Sequence, residues 1–575
     1  MVNIKKCVFV IGISFLSLSC GHLSPKQPLV SVEDLHIYED VTYPASPFQE
    51  VTGRVFKNNT HYISILNVGD EALLARIHLI RAAQKAIYIQ TFIWTNDETG
   101  RLVIKELVDA AERGVKVKVM VDYLTFDKNL NNIAYLATVH PNIEFKVYNP
   151  IAQKIRPSTL YLIKGYGFDF KKTNKRMHNK IVVIDDRIGI TGGRNIENDY
   201  YDRGADRNFK DRDVLVMGPA VKSMTDSFME YWNFELSVAA IDMVDIHSLI
   251  EKGIDYEFNG SQDLDLNALF GDLDICASDY DCVKKAFIDE GFSVKGKVEF
   301  VADKPGKKER IGKYKTTTVV NSLLSLLAES ENSIIMQTPY LIVQRKGSRI
   351  FKRIRRNNPG IEILVSSNSL AAADHVHAYA FSFKNKKKYV KSFRWQIFEF
   401  KPAPEDEDKM IRPIAAVTRS EKYYACIHAK SYIFDDKIAW IGSFNLDPRS
   451  SNLNTEVGLV IHDESVAKAL KSNILRDMSP QNSWTIGKKK GIPVLSNVSG
   501  TIDDVMEAVP IVHVWPFRYT SSFELKEGKR EVPFYHEDFY DHYNSVGSFP
   551  QMEMSIAEIE ARLLKSFFGV VEGFM

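Results

Sequence analysis

Two stretches of this chain are near copies of one another, and a duplicated reactive frame leaves few ways to fold. Residues 178 to 195 run His178-Asn-Lys180, then an apolar segment to Asp185, then Gly192-Gly193-Arg194-Asn195. Residues 428 to 445 run His428-Ala-Lys430, an apolar segment to Asp435, then Gly442-Ser443-Phe444-Asn445, 250 positions later. The simplest architecture that uses both copies is two half-sites that meet at one active site.

The flanks repeat as well. Asp70 reads as a helix cap before Leu73, Ile77 and Ile80; a strand follows from Ala86 to Phe92, a helix over 101–113 ending at Gly114, and a strand of alternating valines from Val115 to Val121. The second half replays this order with a helix over 319–328, a strand from Ile334, a helix over 349–356 and a strand over 361–365. Gln90 and Gln337 stand 247 apart, close to the spacing of the reactive frames. This is internal duplication of an alternating α/β unit.

Within each frame the spacing carries chemistry. His-x-Lys beside an Ile/Val/Phe-rich run reads as a strand, so the imidazole and ammonium leave the same face about six to seven ångströms apart. An imidazole near neutrality serves as nucleophile or proton carrier. The lysine offers a fixed charge to an anion such as phosphate. Asp185 and Asp435 end the strands, and the glycines then permit a tight turn. Asn195 and Asn445 can donate to phosphate oxygens. Two facing imidazoles supply one nucleophile and one acid, which covalent phosphoryl transfer needs.

Both segments match the HxKxxxxD motif of the phospholipase D superfamily, with the G-[GS]-x-N that follows it. Arg176 to Lys180, Asn445 to Ser450, Asn454-Thr455-Glu456, His140 to Glu144, Val147 to Pro150 and Val376-His377 make the chain most similar to bacterial cardiolipin synthases of the C type. The resemblance spans roughly residues 60 to 480. It implies an α/β chain of two similar lobes, each a mixed β-sheet flanked by helices, with one active site at the interface. It also implies His178 as the nucleophile and His428 as the acid/base, an order the near-symmetry of the copies leaves open. Lys180 and Lys430 would clamp phosphate with Asn195 and Asn445. Asp185 and Asp435 complete the motifs, but more as organisers of the turn than as contacts of phosphorus. Each histidine needs a carboxylate to fix its tautomer. The family pattern assigns Glu456 to His178, and Asp211, with Asp213 as second choice, to His428. No metal or other cofactor is expected, because two lysines already supply the charge.

Residues 1–20 read as a lipoprotein-type signal peptide: Lys5 and Lys6 precede an apolar run from Cys7 to Leu18, too short to span a bilayer. Ser17-Leu18-Ser19-Cys20-Gly21 resembles a lipobox with Cys20 as the lipidated residue. With no Asp at position 21, the expected location is periplasm-facing and anchored to the outer membrane. Residues 21–60 read as a tether, 61–235 and 316–480 as the two lobes, 236–315 as insertion and interlobe linker, and 481–575 as an aromatic-rich extension. Cys276 and Cys282 lie in a polar loop and could close a small disulfide in an oxidising compartment. The extension, with Trp515, Phe517, Phe539 and Tyr543, reads as a packed flap in preference to a membrane contact. Its His536, Asp538, Asp541 and His542 read as a solvated loop in preference to a metal site. Ile556, Ile559, Leu563 and Phe567 mark an amphipathic helix that docks on the body or lies in a membrane interface. The basic stretches at 345–356 and 384–394 are solvated helix faces or partners for an anionic membrane.

With 45% hydrophobic and 26% charged residues, the composition is that of a globular protein. A formal charge of +1 gives no general pull toward nucleic acid. Three functions therefore compete. The favoured one is a phosphatidyltransferase that forms cardiolipin from phosphatidylglycerol and a second phospholipid; a hydrolytic phospholipase D comes next, and an endonuclease last. The expected partners are phospholipids and a membrane surface, with no nucleic acid.

Overall fold

The computed structural model describes residues 45–159, 173–252, 266–307, 316–489 and 519–552. The expected signal segment with Cys20, the residues Trp515 and Phe517, and the amphipathic stretch from Ile556 to Phe567 lie outside the described residues. Among the described residues no helix is long and apolar enough to cross a membrane.

Two mixed sheets dominate. From edge to edge the first runs Phe292–Val294, His61–Leu66, Asp213–Met217, Ile188–Gly192, Ile181–Ile184, Ala86–Thr91, Lys116–Asp122, Ile143–Tyr148 and Ser237–Ala239. The second runs Val298–Ala302, Val457–His462, Ile438–Gly442, Ser431–Phe434, Ser333–Gln337, Glu362–Asn368, Gln396–Phe400, Ser483–Lys488, Thr520–Leu525 and Tyr543–Gly547. Eight strands correspond one to one, beginning at His61–Leu66 and Val298–Ala302. In each lobe the strand after the lysine is antiparallel to the strand that carries Gln90 or Gln337, and the next neighbour outward is parallel.

The lobes share a core. Ile181, Val183, Val214 and Val216 of the first sheet join Ile335, Ile433, Ile441 and Leu459 of the second in one buried cluster. Their strands are apolar on both faces because one face meets the lobe's own helices and the other meets the opposite lobe. A second seam is made of backbone. Arg207–Lys210 of the first lobe pairs in parallel with Tyr424–Ile427 of the second. Met177 likewise bridges to Thr455.

The structure departs from the sequence expectations at the margins. Pro47–Asn58, placed in the tether, is a helix that buries Phe48, Val51 and Val55 on the first lobe. Asp70 is not a cap: the helix Gly69–Ala82 starts after Val68, and the Asp70 carboxylate pairs with Arg203 and Arg412. The linker assigned to 236–315 gives edge strands to both lobes, since Ser237–Ala239 closes the first sheet and Val298–Ala302 opens the second. The second lobe also runs past residue 480, because Ser483–Lys488 pairs with Gln396–Phe400. Cys276 and Cys282 do form a disulfide, but on helices rather than a loop. The described part of the C-terminal extension packs, with Phe523, Val532, Phe539 and Tyr543 forming a small core beside two added strands.

Candidate active site

The cross-lobe seams deliver the reactive residues. The Met177–Thr455 bridge stands one residue before His178 and one before Glu456, and the backbone N–H of His178 donates to Thr455 O at 3.1 Å. The Ile427–Lys210 pair stands one residue before His428 and one before Asp211, and His428 N donates to Lys210 O at 2.9 Å. Each histidine is therefore laid beside a carboxylate of the other lobe. His178 Nδ1 lies 2.8 Å from Glu456 Oε2, and His428 Nδ1 lies 2.5 Å from Asp211 Oδ2. A carboxylate at Nδ1 fixes Nδ1–H as the donor and leaves the Nε2 lone pair for chemistry.

All of this is buried. His178 and His428 are 5% and 6% exposed, and Lys180, Lys430, Asp211 and Glu456 are 3% or less. Lys180 Nζ donates to His178 O at 2.8 Å and lies over the Phe92 ring. Lys430 Nζ lies 3.0 Å from His428 Nε2 and 4.0 Å from Asp211 Oδ2. Phe92 meets the edge of His178, while Tyr200 and Phe209 flank His428. These rings exclude water from the imidazoles, so fixed charges act there at low effective dielectric.

The electrostatics break the symmetry. Burial, then the Lys180 and Lys430 ammoniums, holds His178 well below the ordinary imidazole range. Burial and Lys430 bring His428 down to about 4, with Asp211 pulling the other way. Burial lowers both lysines too. Burial pushes Glu456 up to about 7, against the pull of Lys307 and the Ser443 hydroxyl. For Asp211 burial also acts upward, but Lys430 and His428 outweigh it and hold the carboxyl well below its usual range. His178 thus faces a carboxyl that can be neutral near pH 7, whereas His428 faces a firm anion.

Several expected residues sit elsewhere or are already engaged. Asp185 and Asp435 stand at the far end of the strands, roughly 20 Å along the chain direction from the histidines. Both adopt left-handed φ, +53° and +54°, in the hairpin turn. Asp185 accepts from the N–H groups of Gln84, Lys85 and Ala86, and Asp435 from those of Glu331, Asn332 and Ser333. The motif aspartates therefore clasp the turn to the neighbouring strand and do not join the reactive cluster. Asp213 pairs with Arg76 and Arg194, not with His428. Asn195 donates to Tyr200 OH and accepts from Ile93 N, which fixes its amide in place. Asn445 is 5% exposed, and among the described residues its Oδ1 has no hydrogen-bond partner.

Three features of the site were not anticipated. Ser443 Oγ donates to Glu456 Oε2 at 2.5 Å, at the position where the first copy has Gly193. A Cβ on Gly193 would lie 2.1 Å from Asp211 Oδ1, so the glycine is what lets Asp211 close on His428. The serine sat in the quoted motif, but nothing in the sequence joined it to Glu456. Lys307, from the linker, is buried in a 3.0 Å ion pair with Asp303 Oδ2, and Asp303 in turn accepts from Glu456 N. Asp374, buried and bonded to Tyr340 OH at 2.6 Å, adds negative charge on the His428 side. Among the described residues no group of three or more His, Cys, Asp or Glu side chains could hold a metal ion.

The sequence profile of the family described as cardiolipin synthase, phospholipase D-like domain, matches residues 76–232 and 323–478. An uncharacterized protein of Helicobacter pylori is 30% identical over 459 residues, covering 76% of this chain and 84% of that one. Cardiolipin synthase C of Escherichia coli is 29% identical over 418 residues, covering 71% of this chain and 82% of that one. The crystal structure of phosphatidylserine synthase from Haemophilus influenzae superposes with a TM-score of 0.47 at 15% identity, over 75% of this chain and 91% of that one.

Proposed function

From the premise that the chain belongs to the cardiolipin synthase family of phospholipase D-like enzymes, we propose that it forms cardiolipin from phosphatidylglycerol and a second phospholipid. The observation that carries this reading is the exchange of carboxylates between lobes, which gives two similar histidines different partners. His178, kept neutral by burial and the two lysines, with Nδ1 held at Glu456 and the Nε2 lone pair free, is the nucleophile. His428, beside the anionic Asp211, is the group best placed to become an imidazolium and act as acid and then base.

The reaction follows from those roles. The lone pair of His178 Nε2 attacks the donor phosphorus, a P–N bond forms, and the P–O bond to the head-group alcohol breaks. His428 passes its proton to the departing alkoxide. The resting His428 is kept neutral by burial and by Lys430, and the anionic phosphodiester shifts it toward the imidazolium by offsetting the charge of that lysine. The acceptor's hydroxyl then gives its proton to His428, its oxygen attacks phosphorus, and the P–N bond breaks. Lys180 and Lys430 stabilise charge on the equatorial oxygens, together with the buried Asn195 and Asn445. Hydrolysis differs only in that water takes the acceptor's place. The aromatic enclosure of both imidazoles supports transfer over hydrolysis.

We place the enzyme on the periplasmic side of a bacterial envelope, held by lipid on Cys20. The Cys276–Cys282 disulfide supports an oxidising compartment. Purified protein incubated with labelled phosphatidylglycerol, with and without phosphatidylethanolamine, tests the function. Cardiolipin in excess of phosphatidic acid is expected, and phosphatidic acid alone under every donor mixture would make the enzyme a hydrolase.

A further inference from the structure

The duplication supplies an internal control for one cavity. In the first lobe the space between the helix Gly69–Ala82 and the sheet is nearly filled, with about 20 Å³ left beside Arg76 and Arg194. Those two arginines close it through ion pairs to Asp213 at 2.8 and 3.5 Å. At the matching positions of the second lobe stand Leu323, Phe444 and Gly458. The plug is gone, and a cavity of about 180 Å³ lies between the helix Thr318–Glu329 and the sheet, walled by Leu323, Leu324, Leu327, Met336, Tyr432 and Phe444.

Its mouth is basic. Val343, Gln344, Lys346 and Asn452 line both this cavity and an open groove of about 830 Å³ that carries Arg345, Arg349, Lys352 and Lys388. The helix Arg345–Asn357 holds seven arginines and lysines and no acidic residue, in a chain whose net charge is only +1. Arg345, Arg349 and Lys352 are exposed, and among the described residues none of the three is in an ion pair with a carboxylate. An apolar cavity that opens under a cluster of cations matches a molecule with an alkyl tail and an anionic head. Nucleic acid would meet the charges but leave the cavity unfilled.

We propose that the second lobe holds an anionic phospholipid outside the catalytic cleft, with part of an acyl chain in the cavity and the phosphate on Arg349 and Lys352. The ligand class rests on the reading of the chain as a phospholipid enzyme. Tyr432 lies on the strand Ser431–Phe434, two residues beyond Lys430, and Phe444 is next to Asn445, so the bound lipid would touch the back of the catalytic layer. Its role would be to hold the cleft at the membrane and to tie its packing to an anionic surface.

The full chain carrying His178→Ala and His428→Ala, which leaves lipid intact, is mixed with phosphatidylcholine vesicles containing phosphatidylglycerol with a diazirine on one acyl chain. After illumination, the labelled peptides are mapped by mass spectrometry. Adducts are expected on residues 318–329 or 444–446. Arg349→Glu with Lys352→Glu, both on the surface, should cut that yield roughly tenfold or more. Leu324→Trp should cut it comparably by filling the cavity, while vesicle binding is kept. Adducts confined to other segments, or a yield unchanged by the surface pair, would overturn the site. So would labelling that a single-stranded oligonucleotide displaces while Leu324→Trp leaves it intact. Turnover of phosphatidylglycerol by the unmutated protein is read separately: turnover without cavity labelling sinks this inference alone, and cavity labelling without turnover sinks the proposed function alone.

Discussion

Asp211→Asn changes one oxygen and should disable the enzyme. The carboxylate is fully buried, 2.5 Å from His428 Nδ1, 2.7 Å from the N–H of Arg212 and 4.0 Å from the Lys430 ammonium. An amide of the same shape can turn an N–H toward Nδ1, which moves the imidazole proton to Nε2 and removes the lone pair that accepts from the incoming alcohol. It also withdraws the charge that stabilises the imidazolium. The loss should be the full general acid–base contribution, about 10²- to 10⁴-fold in kcat, with KM little changed because Asp211 does not touch substrate. Folding should suffer as well. The depressed pKa of Asp211 contributes stability that is complete above the ordinary carboxylate value near pH 4 and is lost as pH falls below it. The variant should lack that part of the acid limb, and breaking a buried pair costs about 3–5 kcal/mol. Glu456→Gln is the comparator. Glu456, raised to about 7, is mostly protonated at pH 6, so a neutral amide mimics it there and fails above pH 7. Steady-state kinetics at pH 6 and 8, with urea unfolding of each variant, read all of this. Folded Asp211→Asn with more than a tenth of the parent kcat, or Glu456→Gln the more damaged at pH 6, would refute the assignment of roles.

Other expectations follow from the same contacts. His428 falls from 6.5 to about 4 on folding, so it contributes stability present above pH 6.5 and lost as pH drops toward 4. His428→Ala should remove roughly 3 kcal/mol of that pH dependence, measured as the change in Tm between pH 7 and pH 4.5. Asp435→Ala leaves three N–H groups without their acceptor and should cost about 1–3 kcal/mol of stability, while kcat/KM per folded molecule stays within a few-fold. A loss of a hundredfold or more in activity would return that aspartate to the reactive cluster. Cys20→Ser should move the protein from the membrane fraction to the soluble periplasm on fractionation, and an unchanged distribution would place the anchor elsewhere.

The reactive frames were legible because chemistry constrains residue type and spacing together. The duplication of strand order could be read from Gln90 and Gln337 as well as from the motifs. The partner of each histidine came from the resemblance, because no local pattern shows that Ile427 lies beside Lys210 or Met177 beside Thr455. Those pairings are long-range and belong to the lobe interface. The aspartates of the motif illustrate the opposite limit. Their place in the motif grouped them with the reactive residues, yet their position after an apolar run and before a glycine turn already read as turn-organising, and left-handed φ values with three N–H donors each show how they do it. The edge strands Ser237–Ala239 and Val298–Ala302 were hidden because three to five residues give too little alternation to distinguish a strand from a linker. Lys307 gave no signal at all: a lysine in a Pro-Gly-Lys-Lys run reads as exposed until Asp303 folds beside it.

The most direct test of the central claim is the trapping of the covalent intermediate. His428→Ala is mixed with the donor phospholipid, quenched within the first turnover, digested at alkaline pH to spare phosphohistidine, and examined by mass spectrometry. The account predicts a phosphatidyl adduct on His178 in this variant and none in His178→Ala. An adduct on His428 in His178→Ala, or no adduct on either histidine while the parent enzyme turns over the same lipid, would contradict it.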